Sequence, residues 1–419
     1  MPRTGDTCTV RFSFDGEVIE AAPGEPIASA IAARGLSIAR SPKFHRPRGP
    51  ACFRSACDGC LARVSGQPNI MTCMVAAKEG DVVESQNTLG SRKLDLLRIT
   101  DWFFPDGMNH HELFAGVVGV QKVMQIFARR VAGLGRLPAE IVPARAARRR
   151  DVDVLVIGGG PSGMAVASRL ADAGRGVVIV DDGLEIGGNA LSLPGAGFRG
   201  LRDRFAATTA IEVLAQSTAV GTFGDDVVVV TPAETLVFSA GERVLATGAH
   251  DGVLAFAGND LPGVMSARAA GVMLRFGAIP GARVVVVVSP LGGPFGEAYA
   301  SAIGKVAGVT VEVVRGDPVA AKGVDRVRAI TVRVDGANRE IEADAVLIDA
   351  PRAPSYELAE QLGARLVHEP RGYVAQAPEG RVREGVWACG ELTGCPLDLA
   401  AIEADADALV AAMLGRVTG

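Results

Sequence analysis

Tryptophan occurs only twice in 419 residues, histidine five times and cysteine seven. A surplus of charge is missing too. Lysines and arginines number 43 against 47 acids, and the formal charge of −4 gives no electrostatic footprint for nucleic acid. No apolar stretch approaches about 18 residues, so no integral membrane segment is expected. The opening MPRTGDTCTVRFSFDG lacks the charged start and apolar run of a secretory leader. These absences point to the cytoplasm, where thiols stay reduced, and clustered cysteines there read better as metal ligands or redox groups than as disulfides. What the chain has in quantity is glycine, 52 residues, in a composition that is 48% hydrophobic and 21% charged. That balance suits a Gly- and Ala-rich α/β protein of roughly two or three domains.

Residues 1–100 begin with TVRFSFDGEVIEAA, whose alternating apolar and polar residues around Asp15-Gly16 predict a tight hairpin. PGEPIASAIAARG then predicts a helix, with Pro26 near its start and Gly35 just past its end. A hairpin, a covering helix and a Cys-rich loop form the order of a β-grasp ferredoxin-like domain. In ACFRSACDGC and the later GQPNIMTCM the spacing is Cys52-x4-Cys57-x2-Cys60-x12-Cys73. The first three positions follow a plant-type [2Fe-2S] site, in which a loop wraps one side of the cluster and a later strand supplies the last thiolate. Zinc is the alternative, although it more often shows two separated Cys-x2-Cys pairs or paired histidines; a vacant remnant is the third. Between Cys52 and Cys57 stand Phe53, Arg54, Ser55 and Ala56, with no glycine to supply positive φ angles. Cys8, in the first strand, is read as an ordinary small residue.

Residues 101–150 change character. DWFFPDGMNHHELF is aromatic, and RRVAGLGRLPAEIVPARAARRR carries seven basic residues against Glu140, a pattern read as a solvated connector with partner docking as the alternative. Adjacent His110 and His111 do not point the same way and are read as structural. From Asp151, VDVLVIGGGPSGMAVASRLADAGRGVVIVDDG gives strand, Gly158-x-Gly160-x-x-Gly163, helix, and a second strand ending at Asp181. Gly158 makes the turn, Gly160 admits a pyrophosphate, Gly163 packs helix on strand, and Asp181 faces the ribose. The helix N-terminus, at Pro161 and Ser162, directs free N–H groups at the phosphates. Asp182, Gly187-Gly188 and Asn189 follow; with Thr247-Gly248 and Gly390-Glu391 they resemble the corresponding segments of two-dinucleotide-domain flavoproteins, which implies FAD rather than NAD. Glu391 stands where an aspartate is usual. Between these segments PGARVVVVVSPLGGPFGEAYASAIGKVAGVTVEVV repeats strand, turn, helix and strand, but its turn, from Ser289, lacks the first glycine, which argues against NAD(P) binding there. Cys389 and Cys395 have the wrong spacing for a redox Cys-x-x-Cys pair and are read as packing residues. The expected division is a β-grasp domain over 1–100, a connector over 101–150, an FAD-binding part over 151–250, a second, degenerate Rossmann-like unit over 251–345 and an FAD-binding part over 346–419.

RPRGPACFRSACDGCLARVSGQPNIMTCM, followed by EGDVVESQN, resembles the small [2Fe-2S] domain of bacterial flavin-dependent amine dehydrogenases. These include hydrogen cyanide synthase, opine oxidase and hydroxyproline dehydrogenase, and the same fold begins the alpha subunit of heterotetrameric sarcosine oxidase. Residues 101–114 and Ala132–Gly135 are similar to the connector of that family. The resemblance implies an electron-transferring iron–sulfur flavoprotein subunit, with amine or amino-acid oxidation in a partner of the amino-acid-oxidase fold and an FMN able to sit at the interface. It also implies no folate chemistry within this chain, since no aminomethyltransferase half follows. No catalytic residue is assigned. Two other classes remain open at this stage: a self-sufficient NAD(P)H-dependent ferredoxin-type reductase, and a structural subunit whose cofactors no longer turn over.

Overall fold

A computed structural model describes residues 10–40, 45–86, 88, 90–99, 119–120, 122–123, 146–193 and 196–415. Cys8, the aromatic stretch 101–114 with His110 and His111, and Ala132–Gly135 lie outside them. The chain forms two compact units, one of Met1–Ile141, Ala255–Val287 and Ile303–Ile348, the other of Val142–Leu254, Val288–Ala302 and Asp349–Gly419.

In the first unit, Asp15 (φ 50°) and Gly16 (φ 80°) turn the chain between strands Val10–Phe14 and Glu17–Ala21. Two successive positive φ angles match the right-handed twist of paired strands, which is why Asp-Gly works here. A five-stranded sheet follows in the order Glu17–Ala21, Val10–Phe14, Val82–Glu84, Leu61–Val64, Gln67–Met71. The helix Ile27–Ala33 buries Ile27, Ala28, Ala30 and Ile31, and Gly35 (φ 71°) stands two residues past its end. Alternation places Phe12, Phe14 and Ile19 in the core. The same unit holds the antiparallel strands Asp317–Gly323, Val327–Val334 and Ala337–Glu342, and the helix Ala267–Arg275, capped by the Ser266 hydroxyl accepting from Ala269 N–H.

The second unit is built on an eight-stranded sheet. Its parallel centre runs Ile211–Leu214, Val177–Val180, Ala147–Ile157, Thr235–Leu245, with Val386–Ala388 also parallel to Thr235–Leu245. All four residues of Val177–Val180 are buried, because a parallel sheet covered on both faces needs continuous apolar strands. Val154, Val156 and Ile179 face Met164 and Leu170 of the helix Pro161–Asp172, together with Ile402 and Leu409 of the helix Leu399–Met413. Their neighbours Leu155, Ile157, Val178 and Val180 face Phe238, Leu245 and Leu392 on the other side. Each large side chain so buried contributes about 1.5–3 kcal/mol. Strand Ala147–Ile157 begins inside the basic run read as a solvated connector. Arg148, Arg149 and Arg150 pair with Glu234, Asp226 and Glu212 at 2.6, 2.8 and 2.7 Å. The acids come from elsewhere on the same sheet, on or just before other strands, and these three arginines open the strand Ala147–Ile157; exposed pairs of this kind add little energy.

Candidate functional site

The four cysteines of the spacing meet in two pairs. Cys52 Sγ lies 3.4 Å from Cys57 Sγ, and Cys60 and Cys73 interact sulfur to sulfur. In each pair one sulfur is held toward the thiolate. The Cys52 thiol donates to Cys57, and with the backbone N–H groups of Ala51, Gly59 and Cys52 it draws Cys57 down to about 6. Cys60 and the Ser55 N–H lower Cys73 in the same way, while Cys52 and Cys60 are pushed up. Among the described residues, no three His, Cys, Asp or Glu side chains converge as a group for one metal ion. A single tetrahedral zinc would need four donors around one point at about 2.3 Å. Two sulfur pairs amid inward-facing N–H groups instead fit a binuclear iron–sulfur cluster, with two thiolates per iron.

The loop reaches this shape by main-chain economy. A Cβ on Gly59 would lie 2.0 Å from the Gly49 carbonyl oxygen, so only glycine lets the loop close on itself. Phe53 and Ser55, at φ 51° and 53°, take the left-handed conformation that glycine would adopt without strain. Cys73 sits on the 3-10 turn Thr72–Met74 directly after strand Gln67–Met71, rather than on a strand. Buried Thr72 fixes that turn: its hydroxyl (2.7 Å) and its N–H (3.2 Å) both donate to the Cys60 carbonyl. Residues 260–268 brace the other end. Arg48 pairs with Asp260, Gly49 packs on Pro262, and Ser266 N–H donates to the Ala51 carbonyl at 2.9 Å.

In the second unit, Gly158 (φ 107°) turns the chain where a Cβ would stand 2.2 Å from the Ala246 carbonyl oxygen, and a Cβ on Gly163 would meet the Gly158 oxygen at 1.8 Å. Gly160 is different: a Cβ there would find nothing within 4 Å. The helix begins at Pro161 with no side-chain cap on its first N–H groups. An open glycine before an uncapped helix N-terminus fits the pyrophosphate of a dinucleotide. Asp181 accepts from Gly159 N–H at 2.7 Å and Gly183 N–H at 2.8 Å, using part of a carboxylate's four acceptor positions. Asp182 is exposed. Gly187 (φ 136°) donates to the Gly159 carbonyl, and Gly188 (φ 49°) opens the short turn that carries Asn189.

The C-terminal segment returns to the same place. Gly390 (φ 75°) packs against Ser162, whose Oγ would lie 2.4 Å from an added Cβ, and its N–H donates to Asp405 at 2.8 Å. Asp405 is held above the usual carboxylate range by burial. Glu391 pairs with Arg352 at 3.3 Å. Asn189, with its amide oxygen turned toward that guanidinium, accepts from Arg352 Nη1 at 2.7 Å. Arg352 also donates to the Ala249 carbonyl at 2.6 Å. The Thr247 hydroxyl donates to the Ser355 carbonyl, and Ser355 N–H donates to the carbonyl of Gly248 (φ 69°). Arg352, Asp405 and Ser355 were not singled out in the sequence, and no local motif marks them. Cys389 is fully buried with its thiol pushed well up by desolvation, and burial lifts the Cys395 thiol to about 11. Neither is a thiolate at neutral pH, which suits packing.

The turn after strand Arg283–Val288 carries a charge of the chain's own. Asp349 accepts from Gly293 N–H at 3.1 Å and Gly296 N–H at 2.8 Å, where the helix Phe295–Ile303 begins. In a working dinucleotide unit those N–H groups face phosphate. Here a buried carboxylate takes them, and desolvation pushes it up to about 6.

The two cradles fit a binuclear iron–sulfur cluster and a dinucleotide, carried on a fold of the two-dinucleotide-domain type. Residues 7–88 match the 2Fe-2S iron-sulfur cluster binding domain family, and residues 156–203 the NAD(P)-binding Rossmann-like domain family. Over 303 residues, 64% of this chain, the sequence is 33% identical to sarcosine oxidase subunit alpha of Rhizobium meliloti (strain 1021). It is 26% identical over 66% of the chain to the subunit alpha of Corynebacterium sp. (strain U-96). The matches span 31% and 28% of those proteins' lengths. The structure of L-proline dehydrogenase from P. horikoshii aligns over 99% of this chain and 76% of that one, with a TM-score of 0.74 at 21% identity, which speaks for the fold. T. acidophilum thioredoxin reductase aligns over 63% of this chain and 99% of its own, with a TM-score of 0.50 at 19% identity. Over these stretches the chain is similar to the sarcosine oxidase alpha subunits and spans about a third of their length. Among the described residues no helix is long and apolar enough to cross a membrane.

Three outcomes follow from the geometry. Gly160→Val fills only open space, so stripped of FAD it keeps the melting temperature of the FAD-free wild type while bound FAD, assayed after extraction, falls at least tenfold; Gly163→Val lowers the melting temperature of the FAD-free form as well. Ser55→Gly holds at least as much iron per chain as the wild type, whereas Ser55→Val, which puts a β-branched residue at positive φ, costs about 1–3 kcal/mol and loses iron. Asp349 has a folded pKa above its ordinary 3.8, so its contribution to stability is full below about pH 4 and is lost as pH rises through about 6. Chemical denaturation from pH 4 to 7 is expected to show a wild-type decline, relative to Asp349→Asn, on the order of 1–2 kcal/mol. Parallel curves would count against the assignment.

Proposed function

We propose that the chain is the electron-transferring iron–sulfur flavoprotein subunit of a heteromeric FAD-dependent amine or amino-acid dehydrogenase or oxidase. In this reading Cys52, Cys57, Cys60 and Cys73 hold the cluster. Gly158, Gly160, Pro161, Ser162, Gly163, Asp181, Asp182, Gly187, Gly188, Asn189, Thr247, Gly248, Gly390 and Glu391 hold FAD. A flavin exchanges two electrons and a [2Fe-2S] cluster one, so the two together suit stepping electron pairs down to a one-electron carrier. The protein's own part is to bind and to screen. The glycines let the main chain reach the pyrophosphate, Arg352 keeps Glu391 and Asn189 in place, and the N–H groups of residues 51–59 stabilise thiolate charge.

The observation that carries this reading is that two redox cradles share a chain whose second nucleotide turn is filled by Asp349. An anionic carboxylate on those N–H groups repels a pyrophosphate. Electrons therefore enter from a source other than a nicotinamide, which disfavours the self-sufficient reductase. The names of the relatives, sarcosine oxidase and L-proline dehydrogenase, support a CH–NH donor oxidised in a partner subunit, for which an amino-acid-oxidase fold is proposed, with FMN able to sit between subunits.

The test uses the purified chain with its cofactors, kept anaerobic, and reads the bleaching of the flavin's visible absorbance. NADH, NADPH, sarcosine, proline and opines are each expected to leave the flavin oxidised, while the complex recovered from the native host bleaches with its amine. Prompt bleaching of the isolated chain by NADH would establish the reductase instead. Unchanged activity of the complex after Cys57→Ser and Gly160→Val would show a structural subunit.

A further inference from the structure

Arg268 is a basic residue buried beside the thiol loop, with about 5% of its surface exposed. It lies near the start of the helix Ala267–Arg275, and its Nη2 donates to the carbonyl oxygen of Cys52, 216 residues earlier in the chain. Two residues before it, Ser266 N–H donates to the Ala51 carbonyl at 2.9 Å. The guanidinium thus sits on the backbone of a ligand residue, within a few bonds of its sulfur. Arg54 and Asp58 of the same loop are half-buried and exposed, respectively. Water screens their charges more than it screens that of a residue as buried as Arg268.

Resting on the reading of the four thiols as cluster ligands, we propose that Arg268 is a positioning residue that sets the cluster's reduction potential, its guanidinium favouring the reduced form from the Cys52 carbonyl. Reduction takes one electron from an external donor, breaks no bond and adds one negative charge to the cluster and its thiolates. A fixed positive charge in a poorly screened site stabilises that added charge, and hydrogen bonding with net charge is among the ways a protein tunes such clusters. Arg268 also ties the loop to a segment far away in sequence, so its mechanical and electrostatic parts must be separated.

The experiment is a dithionite titration of the full chain with redox mediators, followed by visible and electron-spin resonance spectra, with iron per chain measured on every sample. Arg268→Gln keeps a donor without the charge, Arg268→Lys keeps the charge, and Arg268→His carries a charge that can be titrated. With iron retained, Arg268→Gln is expected to lower the reduced-to-oxidised ratio at the wild-type midpoint about tenfold, a shift of about 59 mV to more negative potential, while Arg268→Lys stays near the wild type. In Arg268→His the potential is expected to fall as pH rises through the range of histidine titration. Wild-type potentials in all three variants at full iron content would overturn the proposal. So would an Arg268→Lys potential as low as that of Arg268→Gln, which would leave the hydrogen bond as the cause. If Arg268→Gln loses its iron, the decision passes to Arg268→His, where a potential independent of pH, or loss of iron there and in Arg268→Lys alike, makes the residue merely structural. A wild-type chain without iron would instead overturn the cluster reading itself, and Arg268's role with it.

Discussion

Both cofactor cradles depend on main chain passing main chain with no side chain between. Gly59 passes the Gly49 carbonyl, Gly158 passes that of Ala246, and Gly163 passes that of Gly158, each so closely that a single Cβ would stand about 2 Å from oxygen. The rest follows from that spacing. Close passage leaves N–H groups pointing inward with no side chain in front of them, and these are the groups that thiolate sulfur and phosphate oxygen accept from. The large apolar faces of the central sheet serve the same end, since Val154, Val156 and Ile179 hold the helix Pro161–Asp172 where its N-terminus opens beside Gly160.

The glycine pattern around Gly158 is local in sequence, and for that reason it was legible before the fold was known, although the Ala246 carbonyl that Gly158 passes is supplied from far along the chain. The strand, Gly158-x-Gly160-x-x-Gly163 and helix unit needs its glycines at fixed offsets, as the Asp15-Gly16 hairpin does. The cysteine spacing was readable for the same reason. The absence of glycine between Cys52 and Cys57 was visible too, but not its consequence: Phe53 and Ser55 take the left-handed conformation themselves, with Arg54 N–H donating to Cys52 Sγ at 3.4 Å and Ser55 N–H reaching Cys73. At the end of the basic run before Asp151, composition could not show that Glu234, Asp226 and Glu212 pair with Arg148, Arg149 and Arg150 across the sheet.

What stayed hidden was every charge whose partner lies far along the chain. Arg352 follows a strand and has no motif around it, yet it holds Asn189 and Glu391 together from 163 and 39 residues away. Asp349 ends a buried strand and satisfies N–H groups 53 and 56 residues back. Periodicity marks such positions only as strand ends, because their partners are set by topology. Asp405 is similar: it sits on a helix whose pattern predicts only packing, while its carboxylate holds the Gly390 N–H.

These hidden charges have opposite signs, and the signs bear on function. A carboxylate on the second turn satisfies the N–H groups a phosphate would need, and its burial cost is offset by the same bonds that exclude the nucleotide. A guanidinium on the thiol loop does the reverse and favours added negative charge. An apolar side chain at Asp349 would spare its desolvation but orphan the Gly296 N–H, and a smaller residue at Arg268 would take that donor from the Cys52 carbonyl. On the proposed reading, these charges close the chain to nicotinamide donors and favour electrons at the cluster, which leaves the partner protein as the source of both the electrons and the choice of amine.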